Sequence, residues 1–128
     1  MLITLRLEFT YGGDNVADET FASFLSKKKE EARLSNTKLA RIANISAVYL
    51  GEIINGKKIP PDKKTQYALA DALNLSYEDR VMFFNLAASE RGELPVDVYD
   101  YLLDNDDLIS EIREKQTAEK IGDKYEKR

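Results

Sequence analysis

The 128 residues predict an all-α protein. Three observations lead there. Beyond residue 18, apolar residues recur at i, i+3 and i+4 in blocks separated by Ser, Asn, Gly and Pro breakers. The only strictly alternating stretch is at the N-terminal end, and a lone strand finds no partner elsewhere in the chain. Residues 34–56 read as two short helices joined by a tight turn. The expected architecture is five helices up to residue 91, then two further short helices, with a candidate β-strand arm in front.

The two short helices anchor the rest. The first is expected over Asn36–Ala43, with Ser35 accepting a hydrogen bond from the opening turn; the second over Ala47–Ile54, with Ser46 as its cap. Gly56 lies just past the second helix, where a left-handed residue costs least. Leu39, Ala40, Ile42 and Ala43 give the first helix an apolar side; Leu50 and Ile53 do so on the second, and Ile45 plugs the turn.

These residues carry a resemblance. Leu34-Ser35, Leu39-Ala40, Ile45-Ser46, Tyr49-Leu50, Ile53 and Asn55-Gly56-Lys57 followed by Pro60 resemble the helix-turn-helix of the Xre/Cro-like (phage-repressor-like) family, over roughly residues 18–90. The resemblance implies a λ-repressor-like five-helix DNA-binding domain whose second short helix enters the major groove. Three positions depart from the family pattern. Asn36 stands where a Gln is usual, Asn44 replaces the Gly of the turn, and Ile54 replaces a Glu near the end of the second helix.

Composition limits the chemistry. With no Cys and no His, the chain has no thiol nucleophile, no imidazole base and no zinc site built on those ligands. Neither catalysis, a cofactor nor a metal is expected; Asp104, Asp106 and Asp107 read as a solvated helix start. No apolar run reaches membrane length and no secretory signal is evident, so a cytoplasmic location is expected. The net charge of −4 hides an asymmetry. Residues 16–64 hold ten Lys/Arg against six Asp/Glu, while residues 65–128 hold eight against fifteen. The basic half contains the helix-turn-helix, which permits an electrostatic footprint on one face of an acidic protein.

In chain order, Ile3, Leu5, Leu7 and Phe9 alternate with Thr4, Arg6, Glu8 and Thr10 until the Gly12-Gly13 breaker. Residues 1–15 are either an arm that pairs across a dimer axis or a translated leader preceding a start at Val16. The first helix is expected from an Asp18 cap to about Arg33, burying Phe21, Phe24 and Leu25 with weak help from Ala32. Lys27, Lys28 and Lys29 fan around it, as a solvated face or a phosphate contact. The fourth helix takes Pro61 into its first turn, faces Tyr67, Leu69, Ala70 and Leu73 to the core, and stops at Asn74. Ser76 caps a fifth, bearing Val81, Phe83, Phe84, Leu86 and Ala87 and ending at Gly92. An acidic extension over 92–128 follows: Val96–Leu103 after Pro95, then Asp106 to about Lys120, with a frayed end from Gly122. Its apolar stripe, Leu108, Ile109 and Ile112, either packs back or meets a second copy.

The resemblance places base-edge contacts at Ala47, Val48, Gly51 and Glu52. None of these is an Arg, Gln or Asn able to read a purine in two-point fashion. Ala47 and Val48 suit a thymine methyl, and Glu52 can accept from a cytosine amino group. Phosphate contacts are expected from Asn36, Thr37, Lys38, Ser46, Tyr49, Lys57 and Lys58. The expected function is a sequence-specific transcriptional regulator, a repressor, working as a homodimer on double-stranded DNA. The competing expectation is a protein-interaction module on the same fold, antitoxin-like or regulator-binding. Mass spectrometry of natively expressed protein separates the two readings of the N terminus: a first residue at position 16 removes the arm.

Overall fold

The structure, a computed structural model, describes residues 19–127, with side chains described through residue 121. The strand-like arm and the Asp18 cap lie outside the described residues. Among those described there are seven helices and no strand: α1 (Phe21–Glu31), α2 (Asn36–Ala43), α3 (Ala47–Ile54), α4 (Lys63–Ala72), α5 (Tyr77–Arg91), α6 (Val96–Leu103) and α7 (Asp106–Lys127). They form two compact units, divided between Leu94 and Pro95. None of these helices is long and apolar enough to cross a membrane.

In the first unit, α2 packs on α3 and α4, α1 on α3 and α5, and α4 on α5. The core they enclose contains Phe21, Phe24 and Leu25 of α1, Leu39, Ala40 and Ala43 of α2, and Leu50 and Ile53 of α3. Leu69 and Ala70 of α4 and Phe83, Phe84 and Ala87 of α5 complete it. Its aromatic centre is a chain of rings: Phe21 lies 4.8 Å from Phe83, Phe83 meets Phe84 edge-on at 5.7 Å, and Tyr67 meets Phe84 edge-on at 5.2 Å. Such tilted contacts suit the ring quadrupole better than face-to-face stacking.

All five helices of this unit end alike. The first or second residue after each is left-handed: Asn44 (φ 61°) and Gly92 (φ 70°) directly follow α2 and α5, while Arg33 (φ 59°), Gly56 (φ 76°) and Asn74 (φ 51°) come one residue later. The next residue's N–H then reaches back to a carbonyl five positions earlier: Leu34 to Lys29, Ile45 to Ala40, Lys57 to Glu52, Leu75 to Ala70 and Glu93 to Ala88. This closure satisfies carbonyls that the helix leaves orphaned, and an apolar residue usually follows the left-handed one to cover the corner. Leu34, Ile45 and Leu75 do so. Lys57 and Glu93 are charged instead.

Several sequence expectations need correction. Helix α1 begins later and ends sooner than expected: its cap is Thr20, whose hydroxyl accepts from the Ser23 N–H while the Ser23 hydroxyl accepts from the Thr20 N–H, and Arg33 already lies in the corner beyond it. Ala32 is exposed. Pro61 precedes α4 rather than joining its first turn, because the Asp62 carboxylate caps the helix at the Thr65 N–H. Ile42 is 51% exposed, since it points away from the side that Leu39, Ala40 and Ala43 bury. Tyr67 is half-buried rather than enclosed. Helix α7 does not stop near Lys120 but continues to Lys127, as a single glycine at position 122 lowers helix propensity by only about 1 kcal/mol.

The three lysines of α1 are neither free nor alike. Lys27 pairs with Glu19, and Lys29 with Glu30 and the Leu34 carbonyl. Lys28 reaches Asp79 of α5 at 2.8 Å and Glu31 at 3.1 Å, with its ammonium 5.3 Å from the Phe24 ring centroid. Burial pulls the Lys28 ammonium down, but the bonds to Asp79 and Glu31 more than offset this, so its pKa is raised. Its stabilisation is therefore complete below the ordinary lysine range and fades as pH rises through the raised value.

In the second unit α6 packs against α7. Asn105 forms the corner: its amide nitrogen donates to the Tyr101 carbonyl at 2.7 Å, and its own carbonyl accepts from Leu108. Leu108 and Ile109 are half-buried, while Ile112, Tyr101 and Leu103 are exposed.

Phe83 has no accessible surface and touches both aromatic neighbours. Phe83→Ala is expected to destabilise the first unit by about 3–5 kcal/mol, a large share of the roughly 5–15 kcal/mol that holds a typical domain folded. Urea unfolding followed by circular dichroism measures it.

Candidate nucleic-acid interface

The candidate surface is built from the N-terminal ends of α2 and α3 and the corner after α3. In α2, the Ser35 hydroxyl accepts from the Lys38 N–H at 3.0 Å, and the Ser35 carbonyl accepts from Leu39. The N–H groups of Asn36 and Thr37 are left without an acceptor among the described residues, aimed along the positive end of the helix dipole. Helix α3 repeats this arrangement. The Ser46 hydroxyl accepts from Tyr49 at 3.0 Å, and the Ala47 and Val48 N–H groups stay open. Ser46, expected to touch phosphate, gives an acceptor lone pair to the cap, and its O–H remains able to donate.

Between the helices, Asn44 makes the turn in the left-handed conformation that Asn tolerates better than most residues. Leu50 and Ile53 hold α3 in the core, which leaves Ala47 and Val48 outward; Val48 is 74% exposed. Glu52 and Tyr49 are half-buried, Thr37 and Lys38 exposed, and Asn36 half-buried. Asn36 and Gly51 bring α2 and α3 together: a Cβ added at Gly51 would meet Asn36 Nδ2 at 4.0 Å and nothing nearer.

Past α3, the Glu52 carbonyl accepts from both Lys57 (2.8 Å) and Lys58 (3.3 Å), so two exposed lysines are held at the end of the helix. There they sit where the dipole favours cations. Lys57 is the residue that follows the left-handed corner, a place filled by Leu or Ile at three other corners of this unit. Among the described residues, Lys38, Lys57 and Lys58 form no ion pair with a carboxylate.

Sequence reasoning missed the support behind this corner. Pro60 and Pro61 are both fully buried. The Pro60 carbonyl accepts from Arg91 Nη1 at 2.9 Å, and the Pro61 carbonyl from Gln66 Nε2 at 2.8 Å. Gln66 is 1% exposed and its Oε1 has no hydrogen-bond partner among the described residues. An unmet buried acceptor costs about 1–3 kcal/mol, so the amide is kept for the bond its nitrogen makes. Arg91 is fixed by Glu93, whose carboxylate takes Nε at 3.0 Å and Nη2 at 3.2 Å. That bond, with the nearby charge of Asp62 and the Tyr49 phenol, holds the guanidinium above its ordinary pKa despite partial burial.

Gly51 meets no backbone constraint inside the unit. Gly51→Ala is therefore expected to stabilise the protein by about 1 kcal/mol through helix propensity, as a rise in the unfolding midpoint. Weaker DNA binding by this more stable variant would show that the glycine serves close approach of a ligand.

Comparison with known proteins agrees with this geometry. A family model described as helix-turn-helix matches residues 25–79, from within α1 to the first turn of α5. No curated protein and no solved structure matches the chain. The matched family is a DNA-binding regulatory domain and not an enzyme family. Residues 25–79 are thus similar to the helix-turn-helix of DNA-binding regulators, in agreement with the Xre/Cro-like resemblance read from the sequence.

Proposed function

We propose that the protein is a sequence-specific transcriptional repressor that binds double-stranded DNA as a homodimer, with α3 in the major groove. The observation that carries this reading is the outward face of α3. Ala47 and Val48 project from a helix held by Leu50 and Ile53, flanked by the open N–H groups of α2 and by Lys57 and Lys58. In this reading Ala47, Val48, Gly51 and Glu52 meet base edges, and Asn36, Thr37, Lys38, Tyr49, Lys57 and Lys58 meet phosphates. Ser46 joins them, its oxygen accepting in the cap while its O–H donates to a phosphate. Residues 16–91 form the DNA-reading domain in the cytoplasm, and residues 92–128 an acidic extension that supplies self-contact through Leu103, Ile112 and Ile121, all exposed. Repression follows from occupancy: a bound dimer excludes other proteins from its site.

A second reading is favoured by one feature, the run from residue 92 to 112. It contains seven Asp/Glu and no Lys/Arg, and exposes Val98, Tyr101 and Leu103. A protein-interaction module on the same fold would dock a partner there.

The test is binding to the DNA flanking the protein's own gene, against unrelated duplex, over a salt series. Preference for the flanking DNA with a steep negative salt slope is expected. No binding even at low salt would overturn the regulator reading in favour of the interaction module. Lys57→Ala is expected to weaken binding to all sequences alike and to flatten the salt slope by about one. An unchanged slope would remove Lys57 from the interface.

A further inference from the structure

We infer that Arg91, at the far end of α5, is a positioning residue for DNA binding: with Gln66 it clamps the Pro60–Pro61 linker and thereby presents Lys57 and Lys58. The inference rests on the DNA-binding reading above and extends it to a residue outside the helix-turn-helix, 31 positions from the carbonyl it holds.

The corner after α3 carries the two lysines that the interface needs in register. Among the described residues its backbone before the prolines is tied locally, through the Gly56 N–H bond to Ile53 and the Lys57 and Lys58 N–H bonds to Glu52. Ile59 does not anchor it, being 65% exposed. Prolines 60 and 61 lack N–H groups, so they cannot be held by donating; their carbonyls must be held by accepting. Each carbonyl has one side-chain donor, Arg91 Nη1 from α5 and Gln66 Nε2 from α4. The two donors come from different helices of the core, so the linker is fixed against the body of the unit.

Arg91 suits this task better than a lysine. Its planar fork engages Glu93 through Nε and Nη2 while Nη1 remains for the Pro60 carbonyl. A single ammonium cannot reproduce that three-point geometry. The Glu93 carboxylate also neutralises the guanidinium, so Arg91 aims the two exposed lysines without being a strong phosphate ligand itself.

The test compares full-length wild type with Arg91→Leu and Arg91→Lys by amide hydrogen exchange at Lys57 and Lys58, whose N–H groups are bonded to Glu52, and by salt-dependent binding to a generic duplex. Both variants are expected to exchange faster at these two amides and to lose about one to two from the magnitude of the salt slope, with cooperative unfolding retained. Unchanged exchange in either folded variant would overturn the clamp, whatever the DNA result. Faster exchange with an unchanged slope, in a protein whose wild type binds DNA, would overturn its role in binding. A wild type that binds no DNA would instead sink the regulator reading, and the exchange data would still judge the clamp. If Arg91→Leu fails to fold, Arg91→Lys and Glu93→Gln carry the comparison. In a Lys57→Ala/Lys58→Ala background, Arg91→Lys is expected to change the slope no further. A further change of about one would mean Arg91 touches phosphate directly and would overturn the positioning role.

Discussion

The reversal of the backbone at five helix ends is the constraint on which the first unit depends. A helix can pack on its neighbour only if the chain leaves it in the right direction, and each exit here passes through one left-handed residue. Three of these are Arg33, Asn44 and Asn74, residues that bear a Cβ and accept the conformation at a cost of about 1–2 kcal/mol, less for Asn, which can bond locally. What offsets that cost is the burial that follows: Leu34, Ile45 and Leu75 fold over their corners, and the helices they release close around Phe21, Phe83 and Phe84. The corner after α3 uses Gly56 and so needs no compensating apolar cover, which leaves the next position open to a lysine.

Charge is distributed on the same plan. In the first unit, several cations are consumed internally, Lys28 by Asp79 and Glu31, Arg91 by Glu93, while among the described residues Lys38, Lys57 and Lys58 form no ion pair around α2 and α3. A count of charges alone cannot separate these groups. The surplus of basic residues over 16–64 is modest, and what gives it direction is which cations the fold neutralises.

The most local features were the most legible. Ser35, Ser46, Asn44 and Gly56 marked both ends of α2 and α3 correctly because caps and left-handed corners act within four residues. Errors arose where two local preferences competed or where tertiary contact decided. Pro61 and Asp62 are both reasonable helix openers, and the carboxylate prevailed because both prolines are buried in the core. Thr20 is hard to read as a cap, because its reciprocal partner is Ser23 rather than the Glu or Gln of the usual capping box. The side that Ile42 takes is ambiguous in the sequence, because in an eight-residue helix four apolar residues fit more than one stripe. Gln66 and Arg91 were invisible as supports. Their value lies in two proline carbonyls, one of them 31 residues from Arg91, and no spacing rule links them.

Ala47 and Val48 stand on a helix whose attachment to the core is carried entirely by other residues. Exchanging either side chain removes no buried contact, so the stability threshold that constrains Leu50 and Ile53 does not act on them. A lineage carrying this domain can therefore alter the outward face of α3 one substitution at a time, with every intermediate still folded. Diversification of what the helix meets is limited by selection on the encounter itself, not by the integrity of the scaffold.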